Sequence, residues 1–216
     1  MSQQIIPAVL TDSAEQAKSQ ISALVGLTDW VQIDVMDGVF VTQQSFDLTA
    51  LNNFSAFTKI NWEAHLMVEE PDQYLALCQR LGCRRVYIHR ESRGFSAAVL
   101  NQAHDLGLQV GLALKPNTPA RKLKPYLHQI TAVLLLAVEP GSQGQRLRRR
   151  ALWKARRIKQ WQPDLLVAID GGVKPENIQQ VFSYGVDAVS VGSAIFNNTS
   201  VKENLENLNK KLEIRY

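Results

Sequence analysis

The chain has 216 residues, 45% of them hydrophobic, and a net charge of +4 from 24 lysines and arginines against 20 acidic residues. This composition suits one large core in a single domain spanning 1–216, and its mild positive excess suits small anionic ligands while being too scattered for a nucleic-acid binder. No apolar run approaches membrane-spanning length, and Met1 is followed by polar Ser2, Gln3 and Gln4 rather than a basic-then-apolar signal segment. Two cysteines without metal-binding companions, Cys78 and Cys83, are expected to be reduced thiols in a cytoplasmic protein.

In chain order, the apolar run 5–10 reads as a buried strand. Thr11-Asp12-Ser13 caps a helix whose inner face is Ala14, Ala17, Ile21 and Leu24. Residues 30–35 form the second strand, 46–57 a short helix and turn, and 59–68 contain the third strand. A helix then runs from Glu70-Pro71-Asp72 to Leu81, a strand over 85–89, a helix over 95–106 and a strand over 109–114. Thr118-Pro119 opens another short helix, and 130–138 is almost wholly apolar. The pattern closes with a helix over 145–161, a strand over 165–169, a helix over 174–182, a strand over 186–191 and a helix reaching Leu212. Eight near-continuous runs of Val, Ile, Leu and Ala alternate with helices, which implies a parallel sheet covered on both faces. Eight such units predict a closed (β/α)₈ TIM barrel.

Polar residues at the strand ends carry the function. Gln32 and Asp34 share one face of the second strand, Asp37 follows it, His65 lies in the third, and Glu139 and Asp170 end the sixth and seventh. Barrel enzymes place their chemistry at carboxyl ends of strands, where this set is expected. Gln32, Asp34, His65 and Asp170 would make an O,O,N,O donor set for a divalent metal. Taken singly, each is better read as a core histidine or a turn cap; taken together, they favour a site. A second cluster is Gly141-Ser142-Gln143-Gly144, Gly171-Gly172 and Gly192-Ser193, the last expected to open a short helix. Glycines permit tight βα turns, but in these loops their backbone amides suit phosphate.

The stretches Ile6-Pro7, DVMDGVFV at 34–41, HLMV at 65–68, Pro71, GLALKPNTP at 111–119, EPG at 139–141, Gly144-Gln145, DGGV at 170–173 and VGSAIF at 191–196 resemble the ribulose-phosphate 3-epimerase family over nearly the whole chain. The resemblance implies a ribulose-phosphate-binding barrel that epimerises C3 of a ketopentose 5-phosphate. It implies Asp34 and Asp170 as the acid/base pair, Asp34, His65 and Asp170 as retained metal ligands, and Met36 and Met67 as the substrate wall. The phosphate would lie against Gly141, Ser142, Gly144, Gly171, Gly172, Gly192 and Ser193. It further implies a small phosphorylated sugar as partner and a homo-oligomeric state.

The chain departs from that pattern at several points. Gln32 stands where the family has a metal-binding histidine, and Ala8 where a serine hydroxyl would reach substrate. Thr42-Gln43 replaces Pro-Asn, PGSQGQ replaces PGFGGQ, and a leucine or valine replaces a third methionine near the sixth-strand loop. Gln32 can offer a neutral amide oxygen, so among magnesium, manganese, iron and zinc the harder cations gain over zinc. Arg146, Arg148, Arg149, Arg150, Lys154, Arg156, Arg157 and Lys159 crowd the helix expected over 145–161. A solvated outer face is the stronger reading of that helix; an acidic partner or RNA is the sharper one. Three classes stay open: a working sugar-phosphate epimerase, a sugar-phosphate-binding protein that has lost turnover, and an interaction protein using the basic helix.

Overall fold

The structure, a computed structural model, describes residues 3–141, 144–197 and 200–213. Its strands are β1 (Gln4–Val9), β2 (Trp30–Met36), β3 (Asn61–Met67), β4 (Arg85–His89), β5 (Gln109–Leu114), β6 (Ala132–Leu136), β7 (Leu166–Asp170) and β8 (Ala188–Val191). Each pairs in parallel with its sequence neighbours, and β8 returns to β1 to close the expected (β/α)₈ barrel. No helix among the described residues is long and apolar enough to cross a membrane.

Among the described residues six α-helices surround the barrel: α1 (Ala14–Leu24), α2 (Asp72–Arg80), α3 (Ala97–Asp105), α4 (Arg150–Trp161), α5 (Ile178–Phe182) and α6 (Val201–Glu213). Ser13 caps α1 as expected, accepting a hydrogen bond from the Gln16 N–H. Two connections carry 3₁₀ turns instead of α-helices. After β2 these are Leu48–Leu51 and Ser55–Thr58, separated by Asn53 with a φ of 58°, which ends any continuous helix. After β5 the turn Ala120–Gln129 holds Pro125, which has no N–H for a helical bond.

The basic stretch is also divided. Helix α4 begins only at Arg150, and the Arg148 N–H instead donates to the Ala137 carbonyl at 2.7 Å. Arg146 and Arg148 therefore belong to the β6–α4 connection, correcting the helix expected over 145–161. Arg156 and Arg157 are exposed on the outer face, while Lys154 is buried and donates to the Lys115 carbonyl at 2.9 Å.

Alternation along the strands separates two cores. Outward side chains such as Ile33, Val35, Trp62, Leu66 and Ile88 pack under the helices. Inside the barrel, Ile6, Tyr87, Leu134 and Leu136 pack with Ala113, Ala132, Ala168 and Ala188. Small residues such as Ala113 on β5, Ala168 on β7 and Ala188 on β8 leave interior space for larger polar ones from β2, β3 and β4. Met36, Phe40, Val41 and Met67 form a third cluster with Leu10 beside the barrel mouth.

Candidate active site

Gln32 and Asp34 share the inner face of β2, and His65 shares that of β3 with Glu63 and Met67. Parallel register sets Asp34 beside His65 and Asp170 beside Ser190. Closure of the barrel then brings β7 to the same centre. His65 Nδ1 lies 3.0 Å from Asp34 Oδ1 and 3.2 Å from Asp170 Oδ2. One ligand atom from each of Asp34, His65 and Asp170 falls within 4.8 Å of the others, an O,N,O set with Asp34 and His65 buried and Asp170 half-buried that fits a small divalent cation. Asp170 is the last residue of β7, whereas Asp34 and His65 each lie two residues inside their strand ends.

Gln32 reaches this centre with its nitrogen. Its Nε2 donates to Asp34 Oδ1 at 2.8 Å and to Asp170 Oδ2 at 3.0 Å, and its Oε1 accepts from the Ser190 hydroxyl at 2.7 Å. Ionised carboxylates only accept, so the amide must turn its NH₂ toward them. In this orientation Gln32 turns its nitrogen rather than the expected ligand oxygen to the centre, and bridges the two carboxylates as a donor.

Electrostatics follow from burial and charge. Burial pushes the Asp34 carboxyl up and the Asp170 charge adds to it, against hydrogen bonds from His65 and Gln32. Burial opposes a charged His65, but hydrogen bonds to Asp170 and Asp34 and their negative charges outweigh it and raise the ring to about 9. His89 behaves oppositely: burial lowers it to about 4, only partly offset by its hydrogen bond to Glu91.

Other expected residues separate into two groups. Asp37 accepts from the backbone N–H groups of Val39, Phe40 and Glu69 at 2.8, 2.8 and 2.7 Å, so it is a loop cap. Glu139, in contrast, lines the mouth of a cleft, where its carboxylate pairs with Arg148. Gly141, Gly144, Gly171, Gly172, Gly192 and Ser193 line the same cleft with Asp34, His65, Met67 and Asp170. Ala8, Leu136 and Val138 share this lining. Met36 packs beside Met67 at its edge. Ser142, the remaining phosphate-loop candidate, lies outside the described residues. After β8 the expected short helix is a single turn, with the Ile195 and Phe196 N–H groups both donating to the Gly192 carbonyl. Gly171 and Gly172 have positive φ of 94° and 71°, and a Cβ would fall 2.3 Å from Val138 or 2.5 Å from the Leu147 nitrogen. Loop packing alone therefore demands glycine at both positions.

Three inner residues were not anticipated: Ser190, His89 and Glu91. His89 Nε2 lies 2.9 Å from His65 Nε2, and His89 Nδ1 lies 3.1 Å from Glu91 Oε2. The signal for the latter pair was a histidine closing an apolar strand with a glutamate two positions on, the polar strand-end pattern used elsewhere in the chain.

The profile of the Ribulose-phosphate 3 epimerase family matches residues 4–196. A ribulose-phosphate 3-epimerase of Mycobacterium tuberculosis (strain ATCC 25618 / H37Rv) is 31% identical over 196 residues, covering 89% of this chain and 85% of that protein. One from Aquifex aeolicus is 32% identical over 197 residues, covering 89% of each. In fold, the chain is similar to a mutant tryptophan synthase α-subunit from Pyrococcus furiosus, with a TM-score of 0.73 at 17% identity over 99% of this chain and 100% of that one.

Proposed function

The chain belongs to the ribulose-phosphate 3-epimerase family, a family of isomerases, and from that premise we propose that it epimerises C3 of a ketopentose 5-phosphate with Asp34 and Asp170 as its acid/base pair. The observation that carries this reading is the convergence of two carboxylates, from β2 and β7, on one nitrogen of His65. The C3 proton of a ketose is removable because the resulting charge spreads into the C2 carbonyl. One aspartate takes it from one face and the other delivers a proton to the opposite face. Burial raises the affinity of Asp34 for a proton, which suits it to exchange one with the substrate. A divalent cation held by Asp34, His65 Nδ1 and Asp170 would supply Lewis-acid stabilisation of the enediolate.

Met36 and Met67 wall the sugar and limit water, and the glycine loops present backbone N–H groups to its phosphate. We place the protein in the cytoplasm as a homo-oligomer, in keeping with the family resemblance. A second reading, a sugar-phosphate-binding protein without turnover, draws on Ala8 and on a Gln32 that donates where the family has a histidine ligand. Deuterium uptake at C3 from heavy water, with ribulose 5-phosphate and magnesium, manganese, iron or zinc, separates the two. Uptake with any of these metals supports the epimerase; phosphate-sugar binding without uptake supports the binding protein.

A further inference from the structure

We propose that His89 and Glu91 are positioning residues that fix which nitrogen of His65 faces the two carboxylates, preparing that ring as a ligand; the purpose assigned to them rests on the metal reading above. The argument begins at the far end of the chain of contacts. Glu91 Oε1 accepts from the Lys115 backbone N–H at 2.8 Å, and a backbone amide cannot reverse its polarity. Glu91 Oε2 lies 3.1 Å from His89 Nδ1, and an ionised carboxylate only accepts, so His89 carries its proton on Nδ1. His89 is fully buried, its ring packed 4.7 Å from that of Phe40, over which Lys115 Nζ lies at 3.6 Å. Two carboxylates face His65, whereas His89 faces one and lies near the Lys115 ammonium, so the positive charge sits on His65 and leaves His89 Nε2 as an acceptor.

The two histidines meet nitrogen to nitrogen at 2.9 Å, a contact that needs one donor and one acceptor. With His89 accepting, His65 donates from Nε2. Its other nitrogen, Nδ1, is then the one left to face Asp34 and Asp170, at 3.0 and 3.2 Å. A cation arriving there displaces a proton from Nδ1 while Nε2 keeps its own. Metal-binding histidines commonly have their second nitrogen anchored in this way. Here the anchor is a second imidazole whose polarity is dictated by a glutamate on the next loop.

Substitutions can keep, remove or invert that polarity. His89→Gln retains one acceptor and one donor. His89→Leu removes both. Glu91→Gln must turn its NH₂ toward His89, because the Lys115 amide holds the oxygen; this forces His89 into the other tautomer and reverses the contact with His65.

The test is a ¹⁵N-resolved histidine spectrum of the metal-free full-length protein near neutral pH, together with zinc titration by calorimetry. The expected spectrum gives His89 a protonated, pyrrole-type Nδ1 and a pyridine-type Nε2, exchanged in Glu91→Gln. Zinc affinity is expected to fall about 10- to 100-fold in His89→Leu and Glu91→Gln and to recover in His89→Gln. A wild-type His89 protonated on Nε2 overturns the proposal, as does His89→Leu binding zinc like the unaltered protein. If the variants fail to fold, the wild-type spectrum decides alone. Wild-type protein that shows the expected tautomer but binds no zinc overturns the metal reading and the purpose of the chain with it; a reversed tautomer with zinc bound overturns the chain alone.

Discussion

The two ends of the barrel interior both bury charge, and they do opposite things with it. Toward the amino ends of the strands, Glu63 Oε2 and Arg85 Nε lie 3.0 Å apart, without a well-aligned hydrogen bond, and the guanidinium sits 4.7 Å over the Trp30 ring. Burial raises Glu63 to about 7, opposed by Arg85. This pair is closed: its charges cancel, and Glu63 has no exposed surface. Toward the carboxyl ends, two carboxylates share one imidazole and one amide, leaving negative charge in excess, and the Asp170 side chain is 16% exposed to the cleft. Similar burial thus gives structure where charge is balanced and sealed, and a site where it is unbalanced and reachable.

The largest break in this contrast is expected from Asp170→Asn, which removes a titratable group from the open end while keeping its shape. C3 exchange should fall about 10²- to 10⁴-fold, with the melting temperature unchanged or higher because like charges no longer face each other. Retained exchange, measured by deuterium uptake, would remove Asp170 from the acid/base pair. At the closed end, Arg85→Met should leave catalysis per folded molecule intact and lower unfolding free energy by about 3–5 kcal/mol, since Glu63 is left buried and unpaired. Urea denaturation reads this, and a double change of Glu63→Leu with Arg85→Met should recover most of the loss.

Gln32→His sharpens the open end by exchanging a donor for a lone pair. Zinc affinity should rise about 100-fold, or about 3 kcal/mol, because an imidazole joins the three donors already converged. Titration of both forms checks this; a variant that binds zinc no better would show that the Ser190–Gln32 contact, not ligand count, shapes this corner. The smallest effect expected is in pH dependence, where the two ends should separate. His65 is raised from 6.5 to about 9, so its contribution is complete below pH 6.5 and is lost as pH climbs toward 9, an effect of about 3 kcal/mol in metal-free protein. Glu63 is raised from 4.5 to about 7, so its loss falls in the lower window, from 4.5 to 7. Zinc, by displacing the His65 proton, should abolish the fall in stability across the upper window that protein with chelator shows. A rise in stability from pH 6.5 to 9 without metal would contradict the charged His65.

Much of this was written in local pattern. Eight apolar runs alternating with amphipathic segments determine a closed parallel barrel, because a strand covered on both faces cannot hold polar residues on either without a reason. Those exceptions, Asp34, His65 and Asp170, therefore stood out before any contact was known. Where local chemistry was decisive the helices were legible too, as at the Ser13 cap; where Asn53 or Pro125 interrupts, the expected helices became 3₁₀ turns. Only the tertiary structure decided that Asp37 caps a loop while Asp34 enters the centre, since both are aspartates at one strand end and the distinction lies in which backbone amides surround them. It alone decided that Gln32 turns its nitrogen inward, because that choice is made by Ser190, 158 positions away, together with two carboxylates that can only accept. The sequence specifies which polar groups are buried; barrel closure specifies which of them share a proton, and that requires strands distant in the chain to be brought to hydrogen-bonding distance.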